Sequence, residues 1–179
     1  MFETNNLRLR AVREADFAKL HDLWNDYRIQ KTLESEYVVP LGVKFEEKLR
    51  SWVKDGFFYA IIETKENSEW AGFINLFNAE NKNRAATVSI ALLPAFWGQG
   101  YATEALRFIV DYSFRELALH RVNLQVLGHN AAAIKLYKKV GFVEEGVQRK
   151  AGWSDGKWQD VIWMAMLDED WAASRKENV

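Results

Sequence analysis

Cysteine is absent from the 179 residues. That excludes disulfides, a thiol nucleophile and Cys-ligated zinc. Only two prolines and ten glycines occur, so the chain is not a low-complexity one. No apolar run approaches the ~18–20 residues that a membrane span needs. Neither sign of charge dominates: 24 Lys and Arg stand against 25 Asp and Glu. No global attraction to nucleic acid or to an anionic membrane is expected from that balance. The opening residues Met1-Phe2-Glu3-Thr4-Asn5 lack the charged and apolar regions of a signal peptide, so the expected compartment is the cytoplasm. His21, His120 and His129 have no metal-ligand spacing, and no metal site is expected from them.

Nearly half of the residues are apolar and about a quarter are charged, a globular balance. A chain of this length can bury roughly 70% of its unfolded surface without a disulfide or metal. We expect one domain over residues 1–179, with its core at about 7–170. Leu7-Arg8-Leu9-Arg10 alternates as a half-buried strand does. Phe17, Leu20, Leu23 and Trp24 then recur at helical spacing, and residues 29–43 read as irregular. A second helix is predicted at about 44–54, stopped by Gly56. Strands follow at 57–63, 71–78 and 85–93, joined by short polar turns. A long helix is expected from 101 to 117, a strand at 122–127, a shorter helix from Asn130 to about 140, and strands at 143–149 and 158–167. Ser154-Asp155-Gly156 is a hairpin signal, and Asp168 is placed to cap a last short helix. The order β-α-α-β-β-β-α-β-α-β-β embeds one crossover helix in a meander. The fold class is α/β or α+β, with a mixed sheet.

The most informative stretch is Leu92-Leu93-Pro94-Ala95-Phe96-Trp97-Gly98-Gln99-Gly100-Tyr101-Ala102-Thr103-Glu104-Ala105. It runs from a strand through Gly-x-Gly into a helix, whose first N–H groups have no internal partner and face outward. Read alone, it is either a tight turn or a pocket for a phosphate. A dinucleotide fingerprint needs a glycine at 103, where Thr103 stands; a Walker loop needs Lys at 101, where Tyr101 stands.

With its surroundings, the stretch resembles the GNAT N-acetyltransferase family. Its acetyl-CoA loop reads Arg/Gln-x-x-Gly-x-Gly/Ala; Gly100 and Ala102 match, whereas Trp97 replaces the first residue. A second motif, Asn130-Ala131-Ala132-Ala133-Ile134-Lys135-Leu136-Tyr137-Lys138-Lys139-Val140-Gly141-Phe142, is similar to one in the branch of ribosomal-protein N-terminal and spermidine acetyltransferases. The Leu-Arg-Leu-Arg strand and Asp155-Gly156-x-x-x-Asp160 also look like that branch.

The resemblance implies a mostly antiparallel sheet, split at the cofactor site, with helices on both faces. It implies acetyl-CoA as the acetyl donor and a primary amine as acceptor. In the family mode Gly98, Gln99, Gly100, Tyr101, Ala102 and Thr103 bind the pyrophosphate. Ala91, Leu92 and Leu93 pair with the pantetheine arm, and the Leu92 or Leu93 N–H is the oxyanion donor. Asn130 meets the pantetheine side, and Ala133 and Lys135 line the adenine-side or phosphate groove. Tyr137 is the general acid. Many relatives carry a Glu base on the strand before the loop; Thr87-Val88-Ser89 fills that register here. Glu34 and Glu36 lie in the segment that shapes the acceptor pocket, so Glu34 is a candidate remote base or amine ligand. Peptide N-termini and polyamines both stay open as acceptors. A non-catalytic acyl-CoA-binding module and a Trp-rich interaction domain are the rival readings. No nucleic-acid or membrane partner is expected, and the chain reads as a monomer or homodimer.

Overall fold

The computed structural model describes residues 2–33, 37–80 and 82–176. In chain order it contains β1 (Phe2–Glu3), β2 (Leu7–Arg10), α1 (Asp16–Asn25), α2 (Tyr27–Leu33), α3 (Val43–Asp55), β3 (Phe58–Thr64), β4 (Trp70–Glu80) and β5 (Ala85–Leu92). A 3-10 turn at Pro94–Phe96 leads to α4 (Tyr101–Arg115), β6 (Arg121–Leu127), α5 (Ala131–Val140), β7 (Val143–Ser154), β8 (Lys157–Leu167) and α6 (Asp168–Lys176). The strands hydrogen-bond in the order β1-β2-β3-β4-β5-β6-β8-β7. The expected α/β class and mixed, mostly antiparallel sheet hold. The crossover is the parallel pair β5–β6, joined through α4, with Ala85, Ala86 and Thr87 in register with Arg121, Val122 and Asn123.

The chain forms two compact units. One comprises Met1–Phe77 and Ser89–Ala105, the other Asn78–Val88 and Leu106–Val179. In the first, the β2 alternation works as predicted: Leu7 and Leu9 are fully buried, and Leu9 lies opposite Ile62 while Arg10 lies opposite Ile61. The face that carries Ile61 and Phe73 receives Phe17, Leu20, Leu23 and Trp24 of α1 and Phe45 and Leu49 of α3. These are the residues whose helical spacing marks them in the sequence.

Residues 29–43 are not uniformly irregular, because α2 occupies Tyr27–Leu33. Asp26 starts it: its side chain accepts from the Arg28 N–H (2.9 Å) and its carbonyl from Gln30 N (2.8 Å). The buried Gln30 amide then donates to the carbonyls of Trp24 and Val39, both at 3.0 Å. A polar side chain on the inward face is what hides this helix from a hydrophobic pattern. Gly56 ends α3 as expected, in extended conformation, with its N–H on the Trp52 carbonyl.

Arg10 organises the polar border of this unit. It donates to both Asp16 carboxylate oxygens (2.6 and 2.8 Å) and to Glu63 (2.7 Å). Burial alone would raise the Asp16 carboxyl, but the Arg10 guanidinium and the Arg13 N–H outweigh it and hold the group below the ordinary range. A depressed folded value means stability present above the unfolded Asp value of about 4 and lost as pH falls through the folded one. Urea denaturation should therefore show the midpoint dropping below about pH 4. Asp16→Asn should flatten that acid slope and lower stability by about 1.5–3 kcal/mol at neutral pH, the worth of hydrogen bonds to a charged group.

In the second unit β6 lies between β5 and β8, and β7 closes the edge. The β7–β8 turn has Asp155 at φ 51° and Gly156 at φ 73°, the paired positive angles of a type I′ turn. β7 runs five residues beyond the predicted 149. Arg149, Lys150 and Ala151 bulge opposite Asp160, and pairing resumes at Gly152 opposite Gln159. Lys150 sits at φ 54° with its N–H on Asp160 Oδ1 (2.9 Å), so the alternation breaks while the strand continues. The big rings divide between core and surface. Trp24 and Trp70 are buried, whereas Trp97, Trp153 and Trp158 are about half exposed or more.

Candidate active site

The glycine loop and the end of β5 belong to the first unit. Gly98 and Gly100 have φ of 75° and 85°, where L side chains are strained. A Cβ on either would meet nothing within 4 Å, so these glycines serve backbone shape and an open face. Among the described residues, the N–H groups of Gly98, Gln99 and Gly100 donate to no backbone carbonyl. The first α4 bond of this turn runs from Glu104 N to the Gly100 carbonyl (3.1 Å), leaving Tyr101, Ala102 and Thr103 at the outward start of the helix. Outward N–H groups, the positive end of the helix and an open face suit the pyrophosphate of CoA.

Two side chains brace this loop. The Trp97 indole donates to the Leu92 carbonyl (2.7 Å), and the Gln99 amide donates to the Ala95 carbonyl (2.7 Å). Trp97, the residue that departs from the family pattern, thus ties the loop back to the last residue of β5. Glu104 anchors the helix start by accepting from the Asn6 backbone (2.7 Å) and side chain (2.9 Å). Its carboxyl is lowered overall: burial opposes the shift, and the Asn6 and Thr4 hydrogen bonds outweigh it.

The end of β5 narrows the expected oxyanion role. The Leu93 N–H already donates to the Ala71 carbonyl (2.8 Å), and the Leu93 carbonyl accepts from Phe96 N (2.9 Å). The close approach of β4 makes this possible, because Gly72 has no side chain to hold Ala91 away. Leu93 therefore drops out as the free donor in this conformation, and Leu92 N–H is the one carried forward.

The second motif folds as α5 in the second unit. Asn130 caps it, its side chain accepting from Ala133 N (3.1 Å). Gly141, at φ 117°, closes it with a Schellman pattern: Gly141 N bonds the Lys138 carbonyl and Phe142 N bonds the Tyr137 carbonyl (3.0 Å). Tyr137 is half-buried and packs edge-on against the buried Phe142, centroids 6.0 Å apart. Burial pushes its phenol up to about 12. Ala133 is half-buried and Lys135 exposed. Thr87, in the register of the missing Glu, spends its hydroxyl proton on Asn123 Oδ1 (2.9 Å). Glu34 and Glu36 lie outside the described residues.

The structure also brings forward residues that the sequence reading treats only as strand and helix positions. Phe73 is stacked between Trp24 (5.9 Å, 21°) and Tyr59 (5.3 Å, 20°). Among the described residues, the Trp24 and Trp70 indole N–H groups, the Tyr59 hydroxyl and Asn75 Oδ1 are buried and have no hydrogen-bond partner. Burial raises the Tyr59 phenol above its ordinary range. The available signal was a tyrosine and an asparagine at inward positions of apolar strands.

Comparison with known proteins decides the family. A sequence model described as the acetyltransferase (GNAT) domain matches residues 6–143. The chain belongs to the GNAT acetyltransferase family. Its relatives include the uncharacterized N-acetyltransferase YokL of Bacillus subtilis, 29% identical over 170 residues and 92% of each chain. Spermidine N(1)-acetyltransferase of Vibrio cholerae is 29% identical over 163 residues, 91% of this chain and 94% of that one. The crystal structure of spermidine N-acetyltransferase from Vibrio cholerae with CoA and spermine superposes with a TM-score of 0.85, at 28% identity, over 94% of this chain and 99% of that one. This GNAT protein is therefore an acyltransferase that uses acetyl-CoA and an amine. No described helix is long and apolar enough to cross a membrane.

Proposed function

We propose that this acetyltransferase moves the acetyl group directly from acetyl-CoA to the primary amine in a ternary complex, and that the preferred amine is a weakly basic α-amine of the peptide N-terminal kind. The N–H groups from Gly98 to Thr103 hold the pyrophosphate, and Ala91 and Leu92 align the thioester through their backbone. Leu92 N–H stabilises the oxyanion, and Asn130, Ala133 and Lys135 contact the donor. Tyr137 donates a hydrogen bond to the departing thiolate.

The observation that carries the choice of amine is Thr87. No carboxylate occurs in β5, and the Thr87 hydroxyl is committed to Asn123. Without a base there, the amine must arrive neutral. For an α-amine with pKa near 8 that costs about 1.4 kcal/mol at pH 7; for an alkyl amine near 10.4 it costs about 4.6 kcal/mol. A polyamine acceptor is the second reading, favoured by the spermidine acetyltransferases among the relatives. Glu34 would serve it as ligand or remote base.

Thiol release from acetyl-CoA, measured across short peptides, free amino acids and spermidine at pH 7 and 9, separates the two. Peptides should lead at pH 7. Turnover confined to spermidine would establish the second reading, and no thiol release with any amine, with acetyl-CoA still bound, would leave an acyl-CoA-binding module. In the same assay Gly100→Leu should raise the acetyl-CoA KM by about 10- to 100-fold, the loss of a hydrogen bond to a charged group. An unchanged KM would remove the loop from the donor site.

A further inference from the structure

We propose that Trp24, Tyr59 and Asn75 form a neutral hydrogen-bonding subsite that grips the acceptor next to its reacting amine. They select an acceptor that carries an amide or carbonyl at that position. The inference deepens the α-amine reading above and rests on it.

Buried polar atoms in folded proteins almost always have a partner, and the exceptions call for an explanation such as a ligand or an ordered water. Four such atoms occur among the described residues, and all lie in the unit that holds the glycine loop. Three of them form one group. Phe73 is sandwiched between the rings of Trp24 and Tyr59. Asn75 is two residues beyond Phe73 on β4, hence on the same face, and it sits directly opposite Tyr59 in the β3–β4 register. Trp70, at the start of β4, belongs to the same buried cluster, and its indole N–H is a fourth unpartnered atom that this acceptor does not use.

The group adjoins the donor-binding strand. Ala91 belongs to the same buried cluster as Trp24 and Phe73, and Tyr59 and Leu93 pack against it. An acceptor held here would lie beside the backbone assigned to the thioester.

The chemistry of the three atoms is specific. An indole N–H only donates, a side-chain amide oxygen only accepts, and a phenol does both. None carries a charge. Among the described residues, the acids Asp16 and Glu63 in this unit's polar border are both bound to Arg10. The first residue of a peptide offers the complementary set: its carbonyl oxygen for Trp24 and the following amide N–H for Asn75, with Tyr59 able to meet either. Spermidine carries no carbonyl, and would leave the Trp24 donor without a partner.

The test uses alanyl-alanine amide and spermidine as acceptors, with Trp24→Phe, Tyr59→Phe and Asn75→Leu variants of the full chain. Steady-state KM values are measured, together with calorimetric binding of the dipeptide amide to the CoA-bound protein. The dipeptide KM and Kd should rise about five- to tenfold per variant, one hydrogen bond each, while acetyl-CoA KM and spermidine KM hold. The Tm of Tyr59→Phe should stay level or rise, because the substitution removes a buried hydroxyl that has no partner in the free protein. A dipeptide KM and Kd equal to wild type in Tyr59→Phe and Asn75→Leu, with Tm intact, would overturn the subsite while leaving the α-amine reading in place. A wild-type protein that neither binds nor acetylates the dipeptide but turns over spermidine would defeat the α-amine reading, and the subsite with it.

Discussion

Tyr137→Phe is expected to lower kcat by about 10²–10³-fold, the usual cost of removing one hydrogen-bond donor from a developing negative charge, with acetyl-CoA affinity retained. The retention follows from packing. The ring contact with Phe142 and the Schellman closure through the Tyr137 carbonyl involve no hydroxyl, so phenylalanine can keep α5 intact. The raised phenol defines what the hydroxyl does. With a value of about 12 it remains protonated throughout the working range. Complete transfer to a thiolate of ordinary pKa 8.5 would be uphill by roughly 5 kcal/mol. In the mechanism proposed above, its role is therefore a hydrogen bond to the negative charge growing on sulfur. The proton that finally neutralises the thiolate is one released by the acylated amine. The pH profile of kcat should consequently show no basic limb from Tyr137 below pH 11, and a limb between 8 and 10 would belong to another group. Equal turnover in Tyr137→Phe would reduce this residue to packing.

Gly72→Ala should be the most damaging single methyl in the first unit. A Cβ there would overlap the Ala91 carbonyl oxygen and lie 2.9 Å from Leu92 Cα. Both obstacles are backbone, so relief requires β4 and β5 to part. That would strain or break the Leu93 N–Ala71 O bond and shift the residues assigned to the thioester. We expect a loss of about 3 kcal/mol or more in urea denaturation, at the upper end of overpacking effects, together with weaker acetyl-CoA binding. Gly98→Ala is the control. It has a positive φ but open space around its Cβ, so it should cost about 1–2 kcal/mol. If Gly72→Ala is no worse than Gly98→Ala, the close approach does not govern the end of β5.

The features legible in the sequence were those written in periodicity and in local backbone chemistry. Leu7 and Leu9, the α1 stripe, the Asn130 cap, the Gly141 stop and the Asp155-Gly156 turn each act within a few residues of themselves, and each is where it was expected. The α2 helix was not legible because Gln30 faces inward and satisfies itself on carbonyls six and nine residues away. The end of β7 was missed because a three-residue bulge breaks the two-residue period. In the site, the loop could be read from its glycines. The occupation of Leu93 N–H could not, since it depends on β4 meeting β5 across more than twenty residues of chain. Trp97 could be read only as a departure from the family pattern. Its indole bond to Leu92 gives that departure a local job. Trp24, Tyr59 and Asn75 come together only through strand register and helix packing.

The bulge in β7 has a consequence beyond this chain's own geometry. A twelve-residue strand at a sheet edge, exposed along nearly all its length, offers a ready template on which other chains can aggregate. Here the template is cut in two. The Lys150 N–H is turned away to Asp160, and Arg149 and Lys150 put two cations at the break. An approaching strand finds only short runs to either side and a repulsive step between them. The hydrogen bond to Asp160 thus interrupts the edge against strand addition as well as holding local structure.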